Sequence, residues 1–219
     1  MKQRTHTLAL AAAFASIPAI SIGFGLPSLG GKSSSSVNAG DIDTFVKTAK
    51  DASNLVRSSA SQLALAISNK EERAKIQALV DANKKAESPE EKESTAKQLE
   101  SESATTLKQI DFEKSKEVEA ASKDEAQKKA IADSGYNLML GMLKDKALAD
   151  QGKGLVTSAS SNPTLVSKLG GLKDAVGATG DQLSNFGNVS TNLPKLFTKV
   201  GVSVKAPTSA EEKPHETSI

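Results

Sequence analysis

Residues 136–148, and above all Leu138-Met139-Leu140-Gly141-Met142-Leu143, constrain the fold most. Beyond the N-terminal leader this is the densest apolar run, and it holds two of the three methionines and the only tyrosine. A segment apolar all round cannot face water over most of its surface, so other elements must cover it. Those elements are expected to be helices. Aromatics are 3% of the chain, Trp is absent, and alternation of β-branched residues is missing, while Ala, Ser, Lys and Glu dominate. The expected fold class is all-α: four main helices in an up-down bundle or elongated hairpins, followed by short C-terminal helices.

The chain begins as a secretory signal peptide does. Lys2, Arg4 and His6 precede an apolar run at 8–17 that only Ser16 interrupts and Pro18 ends, with small residues near 19–23 at the positions a signal peptidase reads. The run is well short of the ~20 residues needed to span a bilayer. Residues 1–23 are therefore read as a cleaved leader and the mature protein as periplasmic or secreted. With no cysteine anywhere, it is not a lipoprotein, and disulfides, thiolate catalysis and Cys-ligated zinc are excluded. Residues 24–40, rich in Gly and Ser, read as a flexible linker. Gly31-Lys32-Ser33 within it lacks the preceding strand and the correctly spaced glycine of a phosphate-binding loop.

The segment 41–150 reads as a charged helical bundle. Asp41 is a candidate cap for a first helix whose small and apolar residues, Ile42, Phe45, Ala49, Ala52, Val56, Ser59, Leu63 and Ala66, step by three and four in a coiled-coil-like seam. Ser68 with Glu71, Ser88 with Glu91, and Ser122 with Glu125 each match the capping box, and they divide the segment into a second helix at 70–87, a third at 89–121 and a fourth from 122. Residues 70–129 hold 28 charged side chains of alternating sign. This is the pattern of a solvated face, and it steers no particular partner. The fourth helix is expected to fray near Gly152 and Gly154, and Gly135 and Gly141 to admit a neighbouring helix closely.

Residues 151–204 are richer in Gly and poorer in charge, and read as three short amphipathic helices started near Asn162-Pro163, Leu183 and Asn192-Pro194. Residues 205–219 read as a disordered tail.

Chemistry is thin. The histidines are His6, in the leader, and His215, in the tail, so no His-based relay or metal site can form in the body. No cofactor is expected. Asp133 and Asp145, beside the apolar run, are the least ordinary carboxylates, and a carboxylate-dependent enzyme is a remote alternative. The chain has 28 basic and 26 acidic residues, and loss of Lys2 and Arg4 with the leader leaves 26 of each, which gives no footprint for nucleic acid. The expected function is non-enzymatic binding or scaffolding, toward a protein or an apolar or lipid ligand, the alternative being peripheral membrane contact through 163–200. The candidate apolar surface is Leu138, Met142, Leu143, Leu165, Leu169, Leu172, Phe186, Leu196 and Phe197; the competing reading makes the same residues core.

Overall fold

A computed structural model describes residues 37–217, so the leader and most of the linker lie outside the described residues. Within them the protein is all-helical, without strands. Six helices follow in order: α1 (Ala39–Ile67), α2 (Lys70–Lys85), α3 (Pro89–Gln109), α4 (Lys116–Ala121), α5 (Glu125–Ser160) and, after a 3-10 turn at Pro163–Leu165, α6 (Val166–Val200).

The helix starts obey capping chemistry, but at shifted residues. Asn38, not Asp41, caps α1; Asp41 is the third helical residue of that box and accepts from the Asn38 N–H at 3.0 Å. The box at the start of α2 is Asn69 with Glu72, one residue beyond Ser68, whose own N–H already closes α1 on the Ala64 carbonyl. Ser88 caps α3 as expected, followed by Pro89. Ser122 instead ends α4, and Asp124 caps α5 through its carboxylate on the Ala126 and Gln127 N–H groups. The third helix anticipated at 89–121 is two. Asp111 turns the chain by accepting from the Glu113 N–H, and Phe112 is buried in the core. One apolar side chain inserted at a break satisfies burial better than a thin continuous seam could.

Three long helices form the body. Val56 lies against Gly141 and Phe45 against Gly152, so α1 and α5 are antiparallel. Phe197 lies against Gly135 and Val176 against Gly152, so α5 and α6 are antiparallel too. These glycines admit the close packing: a Cβ on Gly141 would stand 2.6 Å from Val56 Cγ2, and one on Gly152 2.4 Å from Val176 Cγ2. The expected fraying near Gly152 and Gly154 does not occur. Packing holds α5 helical to Ser160, and the change of composition near residue 150 marks no structural boundary.

The C-terminal third departs most from expectation. The three short helices are one, α6, of 35 residues, with Pro194 inside it on the exposed face. Its buried positions, Leu172, Thr179, Gln182, Phe186, Val189, Leu193, Leu196 and Val200, continue a single three-and-four seam. Two of them are polar, which hides the continuity. Gly201, at φ 75°, ends the helix, with the Val202 N–H donating to the Phe197 carbonyl at 2.9 Å. The following segment is not loose: as far as residue 217 it returns as a strap along α5, with a turn at 209–212, held by side chains of that helix.

Candidate functional site

The apolar candidates come together, but as interior. Leu138, Met142, Leu165, Leu172, Phe186, Leu196 and Phe197 are buried, and Leu143 and Leu169 are half-buried. Among the described residues Val166 is the one exposed large hydrophobic side chain. The seam of α6 packs mainly on α5 and α1, so most of these residues are interior.

A cleft lies elsewhere. Small side chains on facing helices, Ala49 and Ser53 of α1, Ala96 of α3, and Ala175 and Ala178 of α6, leave a space of about 830 Å³ between them. Its base is polar. Arg57 on α1 reaches Glu100 on α3 at 3.4 Å. Gln182 on α6 donates its amide to the same Glu100 oxygen at 3.1 Å and to Ser53 Oγ at 2.8 Å. One carboxylate thus joins three helices. The bonding is incomplete, since Arg57 Nε and Gln182 Oε1 are buried without a hydrogen-bond partner. Buried polar groups are normally paired, and such a cluster is seldom more stable than apolar packing of equal volume. Lysines and carboxylates alternate around the mouth (Lys50, Lys92 and Lys97 with Glu93, Asp174 and Asp181), so it favours neither sign of charge.

Asp145 of α5 is sealed in the core and is not among the cleft's lining residues. Neither of its oxygens has a hydrogen-bond partner. Burial, and then the charge of Glu100, push its carboxyl up to about 8, so it is held protonated at neutral pH. Asp133 is a rim residue, paired with Lys129 and 3.2 Å from His215 Nδ1. Among the described residues no group of three or more His, Asp or Glu is arranged to hold a metal ion.

A second polar constellation joins α5 to the strap. The Tyr136 hydroxyl donates to Glu212 at 2.7 Å, and its ring stacks on His215 with centroids 3.8 Å apart. Asn137 accepts from the His215 N–H at 2.7 Å and donates to the His215 carbonyl at 2.9 Å. Lys144, 1% exposed, donates to the Ala210 carbonyl and to that of Glu212. Burial lowers the Lys144 pKa against the opposing pull of Glu211 and Glu212. Burial and the bond to Glu212 push Tyr136 up to about 12, while that same bond and the Thr208 and Ser209 N–H groups hold Glu212 down to about 2.

Sequence reasoning singled out neither Arg57, Glu100 and Gln182 nor the strap. The available signal was positional: Gln182 occupies a step of the α6 seam, and Glu100 follows Leu99 directly beside the α3 seam. Comparison with protein families, with curated proteins and with solved structures finds no match.

Proposed function

We propose that this is an exported, non-enzymatic helical protein of the periplasm or cell exterior that acts by binding, and that its working surface is the cleft between α1, α3 and α6. In this reading the helices serve as an up-down scaffold that keeps the cleft open. The observation that carries the reading is the incompletely bonded Arg57–Glu100 pair lining a space of about 830 Å³, with Gln182 bonded to Glu100 behind it. Arg57 and Glu100 line that space, and the partnerless Arg57 N–H suits a ligand bearing an acceptor oxygen, such as an amide or a hydroxyl-rich molecule. The non-enzymatic reading is supported by the position of Asp145, whose perturbed carboxyl has no access to that space.

The alternative of membrane contact through 163–200 loses the apolar face it relied on, because that face packs inward. No helix among the described residues is long and apolar enough to cross a membrane.

Native mass spectrometry of the protein purified from its source cells tests the proposal. The wild type is expected to carry a noncovalent mass that Ala178→Trp, which fills the cleft from an exposed position, removes without changing the circular dichroism. A bare wild-type chain, or an adduct kept by Ala178→Trp, would overturn it.

A further inference from the structure

We propose that α5 carries a binding site for a peptide with a turn, filled in cis by the chain's own residues 207–215, and that its occupant in trans is the same segment of a second copy. The inference is independent of the cleft.

The contacts are those of a receptor with a ligand. Asn137 engages both backbone groups of His215, as a neighbouring strand would. Lys144 takes the carbonyls of Ala210 and Glu212, on the turn that the Glu212 N–H closes on the Ser209 carbonyl. Sequence is read at two positions: the Tyr136 hydroxyl meets the Glu212 carboxylate, and the Tyr136 ring, with Asp133, meets the His215 imidazole. The ligand signature is therefore Glu-x-x-His directly after a turn. The segment is organised in advance for this. Pro207 and Pro214 restrict the backbone, and the other Glu212 oxygen ties the turn by accepting from the Thr208 and Ser209 N–H groups at 2.6 and 2.9 Å.

The reading side is built and the read side is detachable. Tyr136, Asn137 and Lys144 are 6%, 3% and 1% exposed. No side chain in 205–217 is buried; Pro207, Ala210 and Pro214 are half-buried at most. A space of about 720 Å³ lies between strap and helix. Release would therefore expose little apolar surface, and water would solvate the freed polar groups. Because a second copy offers the identical segment, the contacts made in cis can be remade in trans, as in domain swapping.

The probe is a fluorescently labelled peptide of residues 205–219, titrated into full-length protein by anisotropy. In the wild type a tethered competitor at roughly millimolar effective concentration occupies the site. The double variant Glu212→Ala/His215→Ala loosens the strap and leaves α5 untouched, so it is expected to bind the peptide at least ~10-fold more tightly than the wild type. Adding Asn137→Ala to that variant should abolish binding. The peptide carrying the same two alanines should not bind any form, a control that holds even if Asn137→Ala disturbs folding. Failure of the loosened protein to bind, or equal binding of the two peptides, would overturn the proposal.

Discussion

Replacing Asp145 by Asn is expected to stabilise the protein at neutral pH and to flatten the dependence of its stability on pH. In the folded protein the carboxyl is pushed from 3.8 up to about 8 by burial and by the Glu100 charge facing it from α3, itself partly offset by Arg57. Between those values the folded chain binds a proton that the unfolded chain has released, so stability is greatest below the unfolded value and falls as pH rises toward 8. Each pH unit in that interval costs about 1.4 kcal/mol, or about 4 kcal/mol by pH 7 as an order of magnitude. Asn is close in shape and does not titrate, but it leaves a buried amide to satisfy, which costs roughly 1–3 kcal/mol. The net gain expected at pH 7 is thus about 1–3 kcal/mol. Urea unfolding of both proteins from pH 5 to pH 8 measures it, with the difference between them growing as pH rises. Equal pH slopes, or a variant less stable than the wild type at pH 8, would refute the reasoning.

The α5 glycines should separate from those of α6. Gly152→Ala should lose ~1–3 kcal/mol of stability in thermal unfolding, because the new methyl would meet Val176 and the Phe45 ring, whereas Gly177→Ala and Gly180→Ala, with nothing within 4 Å, should each gain ~0.5–1 kcal/mol. Asn69→Ala should cost ~1 kcal/mol through the lost α2 cap. Ser68→Ala should be neutral or better, because the Ser68 hydroxyl is buried without a partner. The strap should leave α5 in acid. Glu212 is held down to about 2, so the stability it lends docking is complete above its ordinary value of 4.5 and is lost as pH falls between the two. Protection factors of the amides between 208 and 215, corrected for intrinsic exchange at each pH, should then fall in the wild type and be already low, and flatter with pH, in Glu212→Gln.

Much of the body is legible in the sequence. The α1 seam from Ile42 to Leu63 is buried where its spacing places it, and the run at 138–143 does sit where α1 and α6 meet α5. The close approach at Gly135 and Gly141 follows from the same spacing. The caps of α2 and α5 slip by one and two residues because Asn69 and Asp124 compete with a nearby Ser for the same N–H groups. The unity of α6 is hidden because propensity is local while packing is not. Gly170, Gly171, Gly177, Gly180 and Pro194 all argue for breaks, yet the seam from Leu172 to Val200 gains more from burial on α5 than those residues cost. The cleft and the strap depend on partners 40 to 130 residues apart, such as Arg57 with Glu100 and Ser53 with Gln182. No local pattern encodes such pairs.

The binding reading rests on the cleft, and hydrogen exchange mapped by peptide tests it there. The protein would be isolated with whatever it carries and compared with the same protein unfolded, stripped and refolded. The expected result is protection of 93–101 on α3 and 174–185 on α6 that disappears on stripping and is absent from Ala178→Trp. Identical exchange before and after stripping, or a difference confined to other helices, would contradict it.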